Sequence, residues 1–245
     1  LKNDQHIMRN KIFIKFILLI MATQAAFLFR SKVTNNSYET NISNNFQTYQ
    51  IKLNKIIYQL NESNKKFKVT KRLTNDGVIY NYIKISNDDS PTAKELEKRN
   101  KTLDISFSKL NKEIIAIYSY VESLGVEIVF KKNMNNIAGL WQPSKKRVIL
   151  SEDIIRNGTF DFHNILSHEA IHIAQSCNNG FINSPPSRIG LPLKDSYKIK
   201  TQLSHPIYST NTRENKLIER EAYSYAKEKG IALKLLKRFC QTKTY

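Results

Sequence analysis

Cysteine is nearly missing from this chain, with two in 245 residues. That is too few for a disulfide framework or a four-thiolate zinc finger. Glycine and proline are sparse too, seven and six, which excludes collagen-like and Pro/Gly low-complexity classes. Acidic residues are the next shortage: 21 Asp and Glu stand against 39 Lys and Arg, a net charge of +18. The excess is spread evenly, +9 in residues 1–100 and +9 in 101–245, and Lys outnumbers Arg 29 to 10. A phosphate-binding surface concentrates its charge and favours the Arg fork. No specific nucleic-acid partner is therefore expected, and attraction to an anionic membrane surface fits the charge better. What the chain does have is 12 Phe, 12 Tyr and a hydrophobic fraction of 40%. That is enough for a packed core and excludes a wholly disordered chain.

One long apolar run is present, Ile12–Phe29, broken only by Lys15, Thr23 and Gln24. As a helix it would measure about 27 Å, close to a bilayer's hydrocarbon core. Lys2, Arg9, Lys11 and Lys15 precede or enter it, as in the positive region of an export signal. Ala22–Ala26 offers small residues for cleavage, while Phe27-Leu28-Phe29 prolongs the run as an uncleaved anchor would. Residues 1–30 thus read as a signal or anchor, and the Asn-rich residues 31–45 as a polar tether. The folded part is expected at the cell envelope outside the cytoplasm, membrane-anchored, or secreted if the segment is removed.

Phe46, Tyr49, Leu53, Ile56, Ile57 and Leu60 recur at helical spacing. Asp76-Gly77 between β-rich runs predicts a hairpin, so residues 46–88 read as a small helix-hairpin unit. Ser90-Pro91 then predicts a helix start. Leu96, Leu103, Leu110, Ile117 and Leu124 repeat every seven residues, with Phe107, Ile114 and Val121 between them. That seam suits either the backing helix of a core or a coiled-coil partner surface. Val126–Phe130, Ile137–Trp141 and Arg147–Ser151 predict three strands. Phe160–Ser176, about Arg213–Gly230 and a last segment to Phe239 predict helices. The fold class is α+β, with residues 90–245 as the main domain.

His168-Glu169-Ala170-Ile171-His172 lies inside a predicted helix, and three of the chain's five His fall in 163–172. Spacing i,i+4 puts both imidazoles on one helical face, able to share a tetrahedral cation. Glu169 projects about 100° away, out of the ligand set but within reach of a water there. Gln175 falls one turn past His172, and His163 lies off that face.

The HExxH string, followed by Glu219-Arg220-Glu221-Ala222-Tyr223, resembles the gluzincin branch of the zinc metallopeptidases over about residues 114–230. The resemblance implies a zincin-like core: backing helix, small sheet of about three strands, HExxH helix and C-terminal Glu-bearing helix. It also implies one zinc per chain held by His168, His172 and Glu219, with Glu169 as general base. Tyr223 stands where that family often has Asp. Glu221 is the second choice of ligand and is otherwise expected to face outward; His205 and Glu214 are weaker alternatives. His205, Tyr208 and Tyr223 are candidate donors to the transition state. The implied activity is peptide-bond hydrolysis on a peptide or protein, with strand Ile137–Trp141 or Val148–Ser151 binding substrate backbone. The alternative is a membrane-tethered interaction module whose metal site is inactive, or structural and closed by Cys177 or His205. Outside the cytoplasm Cys177 and Cys240 could also pair with each other, joining the HExxH helix to the helix that bears Glu219.

Overall fold

The computed structural model describes residues 50–83, 91–135 and 137–241. The expected anchor (1–30) and tether (31–45) lie outside them. Among the described residues no helix is long and apolar enough to cross a membrane. The chain divides into two units, residues 1–54 and 55–245. Of the first, the described residues 50–54 are helical. The second is mixed α+β and carries every candidate residue.

Helix α1 covers residues 55–64 of this unit and buries Ile56, Leu60 and Asn64. The hairpin β1 (Thr70–Thr74) and β2 (Gly77–Asn81) pairs antiparallel in the register Thr74↔Gly77. Gly77 at φ +136° supplies the positive angle its turn demands. Within the second unit, the described part of this segment is tied to the main body. Val69 exchanges two hydrogen bonds with Asn100, and Phe67 packs against Phe107 and Phe160.

Helix α2 (Ala93–Ser123) starts two residues later than Ser90-Pro91 suggests. Thr92 is the cap, and with Glu95 it forms a reciprocal capping box that satisfies two end amides. Its seam residues Leu96, Leu103, Phe107, Leu110, Ile114, Ile117 and Val121 are all buried. The seam therefore backs the core of this same chain. Strands β3 (Glu127–Lys131), β4 (Gly139–Gln142) and β5 (Arg147–Ser151) make a sheet of order β3-β5-β4. β3 lies parallel and β4 antiparallel to β5, which leaves β4 at the edge.

After the short helix α3 (Asp153–Asn157), helix α4 (Thr159–Asn178) runs through the centre of the unit. It packs on α2, α3, β4, β5, α6 (Arg213–Tyr225) and α7 (Ile231–Phe239). Contacts on every side explain why it is buried all round, unlike an amphipathic surface helix. Its first turn is capped from a distance: Asn64 Oδ1 accepts from the Thr159 amide at 2.9 Å, and its Nδ2 donates to Thr159 Oγ1 at 2.8 Å. Helix α5 (Tyr197–Leu203) lies against α6.

Candidate metal centre

Helix α4 presents His168 and His172 from successive turns, and α6 brings Glu219 to them. The two Nε2 atoms are 3.0 Å apart, and Glu219 oxygens lie 3.3 Å from His168 Nε2 and 3.5 Å from His172 Nε2. Four tetrahedral donors about 2.1 Å from a zinc ion would stand about 3.4 Å from one another, so the three present fit the ion. The small residues Ala222 on α6 and Ala226 just past it are buried, which lets a carboxylate of modest length reach α4. Among the described residues these three form one group able to hold a metal ion.

Each ligand candidate is held differently. His172 Nδ1 lies 2.7 Å from Gln175 Oε1, so Nδ1 keeps its hydrogen and Nε2, which faces the group, is the nitrogen that would ligate once it gives up its proton. Gln175 Nε2 in turn donates to Glu221 Oε2 at 2.9 Å and to the Ile218 carbonyl at 3.2 Å. His168 is held by packing: the Tyr223 ring lies against it with centroids 4.3 Å apart, and its buried Nδ1 has no hydrogen-bond partner among the described residues. An aromatic face thus occupies the place where the resemblance leads one to expect a carboxylate. The Tyr223 hydroxyl pairs with Tyr208 at 2.8 Å, and Tyr208 donates to Glu219 at 3.4 Å.

Glu169 is buried beside the group, and the Trp141 backbone amide of edge strand β4 donates to it. Gly139 on the same strand makes room. A Cβ there would stand 2.6 Å from Glu169 Oε1 and 2.8 Å from Ile165 Cγ2. Trp141 Nε1–H donates to Ser176 at 2.8 Å, which pins β4 to α4 a turn beyond His172. The sequence signals neither Gly139 nor the Trp141 amide, since an edge-strand glycine and a main-chain donor leave no motif.

The charges follow from this crowding. Burial holds the Glu169 carboxyl above its usual range, against the pull of the two imidazoles. Burial works to lower His172, yet Glu219, Glu169 and the Gln175 bond carry it up to about 9. Burial works to raise Glu219, but His172 and His168 hold it well below the ordinary carboxylate range. Burial raises both Tyr208 and Tyr223. The group opens on a cavity of about 530 Å³ whose walls include Leu140, Trp141, Pro185, Ile207 and Tyr208.

Other candidates stand elsewhere. His205 is exposed, and its Nδ1 accepts from the Ile207 amide at 3.4 Å, capping a short turn. Glu214 is exposed in the first turn of α6. His163 is buried 3.3 Å from Glu113. Glu221 does not face outward: it is 0% exposed and accepts from the amides of Ile189, Gly190 and Leu191, each at 2.9 Å. Gly190 at φ +89° lets those three amides converge. Cys177 and Cys240 form a disulfide. It ties the end of α4 to the end of α7, not to α6 with its Glu219.

Fold and site together define an α+β protein whose central helix carries two imidazoles that meet a carboxylate from a later helix. The chain belongs to the family described as a domain of unknown function, DUF8637, whose family model matches residues 105–241. That range holds all of the group, its supports and the disulfide. No curated protein and no solved structure matches the chain.

Proposed function

We propose that the protein is a zinc-dependent peptidase with a gluzincin-like, zincin-type core. The observation that carries the reading is the convergence of His168 Nε2, His172 Nε2 and a Glu219 oxygen at mutual distances of 3.0 to 3.5 Å, with Glu169 buried beside them. His168, His172 and Glu219 would hold the ion. When bound, zinc supplies a Lewis acid that polarises a peptide carbonyl and acidifies water.

The chain's own residues do the rest. Glu169, raised by burial, accepts the proton of the attacking water and passes it to the leaving amine. Trp141's amide and the bare face of Gly139 fix where that carboxylate sits. Tyr208, already bonded to Glu219 and Tyr223, can turn its hydroxyl toward the oxygen that gains charge as the carbonyl is attacked. Edge strand β4 offers its open side to substrate backbone as an added strand. Three protein ligands leave a position open, as catalytic zinc needs. The residues that a closed structural site would require are engaged elsewhere, Cys177 in the disulfide and His205 in its turn. The disulfide supports a place outside the cytoplasm, where segment 12–29 would export or anchor the chain.

The test is metal content and cleavage of a mixed peptide pool by the full chain. About one zinc per chain is expected, and chelation should remove both metal and cleavage. Glu169→Gln should keep the zinc and lose about 10³-fold in rate. A protein that takes up no zinc, or a variant with undiminished turnover, would overturn the reading.

A further inference from the structure

A second cavity, of about 470 Å³, borders the other side of His168. His168 lines both cavities, so the second lies beside the metal group. Their walls differ in kind. The first presents Leu140, Trp141, Pro185 and Ile207, whereas the second presents Lys194, Lys198 and Lys227 with Asp161 and Glu228. Lys194 is already paired with Glu228. Lys198 and Lys227, from α5 and from just past α6, both line it, close enough for each ammonium to feel the other's charge. Ammonium groups carry three donors and no acceptor, so these two repel and cannot bond each other. Partial burial and the neighbouring Lys198 together bring Lys227 down to about 8, with Asp161 opposing the shift. With Lys194 paired, Asp161 alone stands in the wall against Lys198 and Lys227, which leaves one positive charge in excess in a cavity that His168 also lines.

Strand direction says which part of a substrate arrives here. β4 runs from Gly139 to Gln142, and Ala138, just before it, lines the cationic cavity. A segment added antiparallel to β4, the more stable pairing, runs the opposite way. Its C-terminal side then enters the cationic cavity.

We propose that Lys198 and Lys227 bind a carboxylate of the substrate on the C-terminal side of the cleaved bond, either an acidic side chain or the chain's own terminal carboxylate. The role as a substrate subsite rests on the peptidase reading, while the anion site itself rests on the lysines and the cavity. An approaching carboxylate accepts from both ammonium groups and replaces their repulsion with two charge-assisted hydrogen bonds.

The test uses the full zinc-loaded chain carrying Glu169→Gln, so that probes bind without turnover, and reads affinity by calorimetry. Four otherwise identical peptides carry Glu or Gln after the central bond, each with a free or an amidated C-terminus placed one residue later. At least one carboxylate form should bind about tenfold tighter than the amidated Gln peptide. Tighter binding of amidated Glu names the side chain as the ligand, and of free-acid Gln the terminus. Lys198→Ala with Lys227→Ala should remove the preference, whereas Lys194→Ala should keep it. Both lysines of the pair are exposed, so the double variant should fold. Lys227→Glu should turn the preference toward a Lys-bearing peptide. Equal affinity for all four peptides, no binding of any, or a preference unchanged in the double variant would overturn the proposal. Cleavage by the parent protein separates the two readings. Hydrolysis without charge preference removes the anion site and leaves the peptidase. Charge preference without hydrolysis does the reverse.

Discussion

Glu219 and Glu221 sit two residues apart on α6 and live in opposite surroundings. Glu221 is the more buried, and every contact it makes is with a donor: three backbone amides, the Gln175 amide and, at 3.7 Å, the Arg188 guanidinium. Glu219 keeps a partly exposed carboxylate among two imidazoles and a phenol. Complete satisfaction marks a carboxylate that holds structure, since a buried charge survives only when its lone pairs are met. Convergence of several acceptors on one point marks a place able to hold a cation. Depth of burial alone would have picked Glu221, which does not join the two imidazoles.

The comparison breaks most sharply at Glu221. Glu221→Ala should lower unfolding free energy by about 3–5 kcal/mol, because it strands amides and Arg188 in a closed space; chemical denaturation of the metal-free protein measures it. Glu219→Ala should do the opposite kind of damage. Zinc affinity should fall at least about 100-fold by competition with a chelating dye, while metal-free stability changes by about 1 kcal/mol or less. If both variants lose stability equally and bind zinc equally, the division of labour is wrong.

Gln175 links Glu221 to His172, the imidazole beside Glu219, so its removal should sharpen the contrast at smaller cost. Gln175→Leu should weaken zinc binding about 10-fold through a freed His172 ring. Gln175→Glu should recover part of it, since it again offers an acceptor to Nδ1. The smallest effect is in pH. His172 is raised above its ordinary 6.5, so in metal-free protein its share of stability is full below about 6.5 and fades as pH rises through about 9. Glu219 is lowered, so its share is present above its ordinary 4.5 and fades only as pH falls well below that. Between pH 6.5 and 9 the metal-free protein should therefore lose about a few degrees in Tm from this pair. Zinc affinity should rise over the same interval, because binding displaces the His172 proton. Parallel slopes with and without zinc would contradict the pairing.

Much of this architecture is legible in the sequence. The heptad seam of α2 is a strong pattern because seven of its apolar residues are buried together. The hairpin announces itself through Asp76-Gly77. The i,i+4 spacing of His168 and His172 needs only a helix to bring the rings together. Glu221 is not legible in that way, because its projection, about 200° from Glu219, would meet solvent on a helix standing alone. Residues 187–191 in fact fold back over that side, held by Gln175 O, Asn178 and Glu221. No local pattern encodes a loop laid across a helix. Helix α5 carries little signal either, because Tyr197–Leu203 buries little beyond Ile199 and shows no apolar stripe. At the start of α2 two signals compete, Ser90-Pro91 and the capping box that Thr92 spells with Glu95. The reciprocal hydrogen bonds of the box prevail over the fixed φ of proline.

The bond between Cys177 and Cys240 closes a ring of chain across a sequence separation of 63. That ring contains α5, α6 and the covering loop, with Glu219, Glu221, Lys198 and Lys227 all inside it. A single nick anywhere in residues 178–239 therefore leaves both fragments covalently joined. Glu219 would stay tethered beside His168 and His172 after its own strand of chain had been cut. If the protein severs its own loop, the event is invisible on a non-reducing gel and appears only once the thiols are freed.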